Sequence, residues 1–383
     1  MAKTKPQDHS RKSKKNGKNG ASNGTPKKPK ASPETLLIQA AALLQTSQPE
    51  EALVLAKRAL GLLRPTSEPT LAALPALNLL GEINVELGEP ETAREAFLAA
   101  VQLDEDGEED GAEKFLWLAQ LCEEGGAESV QWFEKGIEVL KREIGEMEGK
   151  LKKAEVTEAL EEKKTKVANA LCGIAEVYMT DLSWEEDAEA RCEAAATEAL
   201  LMAPNNPEPL QTLASIRISQ LRTEDAKAAL RRSVDLWKNL DPDDPKVPDF
   251  STRISLSRLL MEAEMEEEAI EVLERLVGEN DSSVEAWYLG GWCLHLLAEK
   301  RKADDESDIA ASLMRASRDW LDNCLKLYSM LEYEDERLKE HADELLKGLN
   351  DTLGPSTRED EEEWEDEDED GAGEDEDEDM EGT

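Results

Sequence analysis

Apolar residues recur at three- and four-residue intervals along most of the chain, in runs that turn-forming residues interrupt. The clearest run covers residues 77–106. Leu77, Leu80, Gly81 and Asn84 fall on one helical stripe, and Ala93, Phe97, Ala100 and Leu103 form a second at the same period. Between them Gly88, Glu89 and Pro90 end one helix and open the next, because Gly suits a C-cap and Pro an entry turn. The spacing predicts two short antiparallel helices, with Gly81 and Ala93 small at their close approach and Phe97 the large knob. Such a pair cannot bury its apolar face alone and needs neighbours of its own kind.

The pattern recurs along the chain. Ser32-Pro33-Glu34 reads as an N-cap and first turn. It opens a first pair over 36–64 that turns at Ser47-Gln48-Pro49. Residues 112–140 predict a third pair around Gly125-Gly126, followed by a Glu- and Lys-rich extension to Lys166. That extension is either a long exposed helix or a helical hairpin, with Gly145 and Gly149 as weak points. A fourth pair spans 167–204 with an insertion near Asp181–Trp184. Fifth and sixth pairs over 210–237 and 250–278 need no gap. Trp287 opens a seventh, interrupted by an insertion from Lys300 to Asp308 before a partner helix around Trp320 and Leu325. Residues 331–349 read as an amphipathic cap shielding the last apolar face. Strand-like alternation of Val, Ile and Thr is scarce, and no strand is predicted.

Leu80-Gly81, Ala93, Phe97 and Ala100 match the pattern of the tetratricopeptide repeat (TPR), with Leu77 in place of its Trp, Asn84 of its Tyr and Glu105 of its Pro. Trp287 with Gly291, and Ala199-Leu200 with Pro204, match the same pattern elsewhere. The expected fold is all-α, a TPR-like right-handed α-solenoid of six to seven helical hairpins over residues 34–353. A basic tail (1–33) and an acidic tail (354–383), both expected to be disordered, flank it.

Charge narrows the class of partner. The chain holds 45 basic and 88 acidic residues, a net charge of -43. Residues 1–30 carry +9, residues 359–383 hold 18 acidic side chains and no basic one, and residues 31–358 carry -34. A surface this negative repels nucleic acid and attracts basic protein through a field screened over ~8 Å in physiological salt. The expected partner is therefore a basic protein client, with no direct nucleic-acid contact. No apolar run of 18 residues occurs, so no membrane contact is expected, and no apolar stretch near the start reads as a secretory signal. The clusters Arg11, Lys12, Lys14, Lys15 and Lys27, Lys28, Lys30 read as nuclear-import candidates that an import receptor would bind, with a solubilising tail as the alternative.

Catalytic chemistry finds no support. The three histidines lack partner motifs, and His295 reads as a packing residue. Five scattered cysteines include no C-x-x-C, and Cys293 and His295 sit two apart on a helix, on different faces. Neither an enzyme, nor a metal, nor a cofactor is predicted. The chemistry that is left is binding. In a TPR stack the first helices of successive pairs line a groove. The groove candidates are Glu82 and Glu86, Glu176 and Tyr178, Glu208 and Gln211, Arg258 and Glu262, and Glu285, Tyr288 and Trp292. Carboxylates pair with Arg and Lys, and aromatic faces accept Arg. The competing account is a solvated acidic face, which any helix of so acidic a chain would show.

The basic start, the acidic repeat region, the run W-Y-L-G-G-W-C-L-H-L-L at 287–297 and the E-E-E-W-E-D-E-D-E-D segment at 361–370 together resemble the fungal family of dedicated assembly chaperones for large-subunit ribosomal protein four. The resemblance implies capture of the newly made ribosomal protein, shielding of its long basic internal loop, passage between cytoplasm and nucleus, and release on the pre-60S ribosome. A TPR scaffold or a histone-type chaperone for another basic nuclear client fits the charge as well.

Overall fold

The computed structural model describes residues 31–64, 70–122, 125–150 and 157–354. Among them are fifteen α-helices, one short 3-10 turn and no strand. The import clusters and the acidic segment 359–383 lie outside the described residues. The helices group into two compact units that divide between Ala96 and Phe97.

The first unit holds α1 (Pro33–Gln45), α2 (Pro49–Leu63), the 3-10 turn Leu71–Ala73, α3 (Leu74–Glu86) and the start of α4 (Pro90–Leu103). Ser32 caps α1 by accepting the Thr35 N–H at 3.3 Å, with Pro33 in the first turn. Its core is built largely from small residues. Ala40, Ala52 and Ala56 pack with Leu80 and Ile83, and Ala96 joins from α4. Alanine lets the helices approach closely, so the unit closes without an aromatic.

The second unit runs on through five pairs: α5 (Glu113–Gln120) with α6 (Gly126–Lys150), α7 (Thr157–Met179) with α8 (Ala188–Met202), α9 (Pro207–Ser219) with α10 (Thr223–Asp235), α11 (Phe250–Glu262) with α12 (Glu266–Glu279), and α13 (Val284–Ala303) with α14 (Ser307–Met330). The helix α15 (Glu336–Leu353) follows. Within each pair the helices pack side by side, and α7, α9, α11, α13 and α15 touch in succession, so first helices line one face. Phe97 is fully buried and stacks on Trp117, with ring centroids 6.1 Å apart. Gly291 earns its place by close approach. A Cβ there would stand 2.6 Å from Leu321 Cγ, so only glycine admits α14.

Two regions depart from the predicted register. The Lys141–Lys166 extension is shared between two paired helices, the hairpin rather than the single long helix, and the departure is in where the fourth pair begins. α6 continues past Gly145 and Gly149 to Lys150, and α7 begins at Thr157, ten residues before the fourth pair was expected. Both glycines face open space, so they weaken the helix without breaking it. Ion pairs Lys163–Glu143 at 2.8 Å and Lys164–Glu148 at 3.9 Å tie the two helices together. The Lys300–Asp308 insertion is not a loop. It lengthens α13 to 20 residues and α14 to 24, against 13 or 14 in α9 to α12. Helix-forming Ala, Lys and Arg and contacts from Lys300 to Glu266 and from Arg301 to Glu267 make extension cheaper than a loop.

Candidate functional site

A groove of ≈ 900 Å³ opens in the second unit on the face lined by first helices. Its walls come from α5, α6, α7, α9 and α11 and from the α11 cap. One stripe of α7 supplies Lys166, Asn169, Gly173 and Glu176, and Thr180 just past its end continues it, spaced by three or four residues as a helical face requires. Glu208, Gln211, Thr212 and Ser215 do the same on α9. The aromatic floor at one end is Trp117 with Phe133.

The charges of this groove are unequal in their partners. Lys166 is held by Glu113 at 2.6 Å and Glu162 at 3.1 Å. Arg258 is paired with Glu285. Asp249 caps α11, accepting the Thr252 N–H at 2.7 Å and the Ser251 hydroxyl at 3.0 Å. Burial pushes the Asp249 carboxyl up, but those hydrogen bonds outweigh it and hold it below the usual range. Glu176 and Glu208 have no side-chain hydrogen bond or ion pair among the described residues. Glu176 reaches solvent in the groove, yet the walls crowd it and poor hydration raises its pKa. Glu208 is half-buried; burial raises its pKa, and the charges of Asp249 and Glu176 raise it further. Two carboxylates held in this state on adjacent helices have the chemistry to pair with cationic side chains. Cys172 also lines the groove, and burial pushes its thiol up to about 12, so it is inert there.

The other candidates are distributed differently. Gln211 lines the groove, buried, with its amide 3.5 Å from the Ser233 hydroxyl. Tyr178 does not face it. It lies two residues past Glu176, about 200° round the helix, and is buried with its hydroxyl accepting from Arg191 Nη1 at 2.8 Å. Glu262 is exposed on α11, one turn beyond Arg258 and outside the groove lining. Tyr288 and Trp292 are half-buried against α15. The Tyr288 hydroxyl lies 2.7 Å from His341 Nδ1, and the Trp292 ring meets His341 edge-on at 5.1 Å. The cap therefore occupies the aromatic surface that the repeat pattern assigns to the groove. Glu82, half-buried, and Glu86, exposed, lie on α3 of the first unit. His295 is a half-buried packing residue whose Nδ1 lacks a hydrogen-bond partner.

Sequence reasoning missed Lys166, Asn169, Trp117 and Asp249. The first two were reachable by stepping back along α7 from Glu176 at the helical period. Trp117 and Asp249 were not, because they depend on how neighbouring pairs stack. No helix among the described residues is long and apolar enough to cross a membrane, and no cluster of His, Cys, Asp or Glu there is placed to hold a metal.

Paired helices stacked through their first members, with a side-chain-lined groove along that face, define a tetratricopeptide-repeat protein. The tetratricopeptide-repeat family itself matches residues 74–106. A probable assembly chaperone of rpl4 from Emericella nidulans is 52% identical over 344 residues, covering 86% of this chain and 84% of the relative. A second, from Schizosaccharomyces pombe, is 35% identical over 324 residues, covering 83% and 91%. The solved structure of an assembly chaperone of RpL4 (Acl4) is 49% identical, with a TM-score of 0.65, and covers 72% of this chain and 100% of that one. The chain belongs to the family of assembly chaperones of rpl4, and it is a non-enzymatic protein.

Proposed function

We propose that the groove of the second unit holds a basic segment of newly made large-subunit ribosomal protein rpl4, and that the protein escorts this client to the nucleus and releases it on the pre-60S ribosome. The observation that carries the reading is the unpartnered pair Glu176 and Glu208, facing a groove whose own cations are engaged elsewhere. An isolated chain gains nothing from crowded, unpaired carboxylates. A client bearing Arg or Lys supplies their missing partners and shields its own charge from RNA. The relatives' names supply the identity of the client. The protein is then found in both cytoplasm and nucleus, with the clusters Arg11–Lys15 and Lys27–Lys30 offered to an import receptor.

The test is binding of purified rpl4 to the full chain and to Glu176→Lys/Glu208→Lys. The unaltered chain binds and the reversed one binds about 30- to 150-fold more weakly, while its helicity is unchanged. Equal binding by the two would remove the groove from the reading. Deleting residues 1–30 should lower nuclear accumulation of a fluorescent fusion in cells, and an unchanged distribution would count against an import role for those clusters.

A further inference from the structure

Two large apolar side chains stand in solvent at one edge of the second unit. Trp184 is 78% exposed and Leu221 89% exposed. Trp184 belongs to the turn between α7 and α8, and that turn is fixed by its own hydrogen bonds. The Trp184 indole N–H donates to the Asp181 carbonyl at 3.0 Å, the Ser183 hydroxyl to the Thr180 carbonyl at 2.9 Å, and the Gly126 N–H to Asp181 Oδ2 at 3.0 Å. Leu221 lies in the turn between α9 and α10 with φ +59°, the left-handed region where a bulky side chain is strained. At the corresponding turns of other pairs the chain places Ser47, Gly88, Gly125 and Glu264, small or polar residues. Leu221 therefore costs both strain and hydration, and its exposed side chain returns little to the fold.

The two turns are neighbours. The Gln220 amide donates to Glu189 at 2.8 Å and to Glu193 at 3.0 Å, joining the α9–α10 turn to the start of α8. Around them Glu186, Asp187, Glu189, Glu224 and Asp225 are exposed carboxylates; Asp187 is paired with Arg191, Asp225 with Arg222 and Glu224 with Lys227, so the edge is acidic on balance and carries cations of its own. The edge is also continuous with the groove. Met179 and Thr180 line the groove at the end of α7, and Trp184 follows four residues later. A polypeptide leaving the groove over the ends of the first helices meets this edge next.

We infer that the Trp184–Leu221 edge is a second docking surface for the same client, taking a segment in which an apolar side chain is flanked by Arg or Lys. The inference rests on the client reading above. Single exposed apolar residues are common and need no explanation. Here a Trp tied to its own turn by its indole N–H, a strained Leu and more carboxylates than cations occupy adjoining turns, and a Trp face on an acidic edge is suited to anchor aliphatic and guanidinium groups together.

The experiment measures the affinity of purified rpl4 for the full chain, for Trp184→Ala/Leu221→Gly, for Trp184→Phe and for the groove reversal, with melting temperatures alongside. The edge double variant should weaken binding by about tenfold or more, and Trp184→Phe by less. Leu221→Gly should melt at the same temperature or higher, since glycine relaxes a positive φ. Loss of binding without loss of stability separates docking from folding. If the edge double variant binds within about twofold of the unaltered chain while the groove reversal weakens binding as expected, the edge plays no part. Loss on the edge with binding kept in the groove reversal would sink the groove instead. Failure of the unaltered chain to bind rpl4 removes both.

Discussion

The second unit treats its carboxylates in two opposite ways, and the contrast separates structure from function. In the loop after α4, Asp104 is buried with Lys114; their side chains are 4% and 0% exposed. Lys114 Nζ reaches Asp104 Oδ2 and the Gly111 carbonyl, both at 2.8 Å, while Asp104 accepts the N–H groups of Glu108, Glu109 and Asp110. Burial pushes Asp104 up, but these donors outweigh it and leave its pKa lowered. In the groove, Glu176 and Glu208 have no side-chain donor among the described residues, and both are raised. A carboxylate whose fold completes it is part of the architecture. One that the fold crowds but leaves incomplete is where the proposed client contact is to be tested.

Removing Lys114 should have the largest effect. Lys114→Met leaves Asp104 buried, charged and short of one donor, a defect of ~3–5 kcal/mol by the general behaviour of broken buried pairs. Chemical denaturation should show that loss, and adding Asp104→Asn should recover part of it. Client affinity per folded molecule should not change. A lysine variant as stable as the unaltered chain would mean that the loop is held by its backbone alone. The sign of the pH dependence follows from the lowered pKa: the stability Asp104 contributes is present at neutral pH and lost as pH falls through its folded-state value.

Reversing the groove should do the opposite. Glu176→Lys/Glu208→Lys is expected to weaken client binding by ~2–3 kcal/mol, about 30- to 150-fold. Stability should stay level or rise, because two like charges are exchanged for cations amid carboxylates. Titration calorimetry with a parallel melting curve measures both. A reversal that unfolds the chain would assign these residues to the architecture after all.

How far the sequence carried follows from the same distinction. Helical pairs were legible wherever a stripe of small residues and a turn breaker coincide, as at Gly88–Pro90 and Gly125-Gly126, because those depend on neighbours a few residues away. Lys141–Lys166 and Lys300–Asp308 were less legible, since Lys- and Glu-rich segments read alike as exposed helix or polar insertion until a partner helix is fixed. In the groove, Glu176 and Glu208 were legible as positions on first helices. That Tyr178 turns inward to Arg191, and that His341 covers Tyr288 and Trp292, depends on contacts 13 and 53 residues apart in sequence. Helical period can place a side chain on a face, but it cannot say which neighbour covers that face.

The subtlest consequence lies in protons. Glu208 is raised by burial first and by Asp249 and Glu176 next. A raised carboxylate binds protons more readily folded than unfolded, so it works against the unliganded fold. That penalty sets in as pH rises past the ordinary glutamate value, about 4.3, and is complete above the raised one. Glu208→Gln removes it, and the variant should be a few tenths of a kcal/mol more stable at pH 7, within the range of partly exposed substitutions. A bound cationic side chain has the reverse effect on the unaltered chain. It draws the pKa of Glu208 down, so client binding should release protons in the interval between the two values. Calorimetry in two buffers of different ionisation heat measures that release directly. It should shrink in Glu208→Gln and vanish in Glu176→Gln/Glu208→Gln. Proton uptake on binding, or a release the double variant leaves intact, would place the client's charge elsewhere than on this pair.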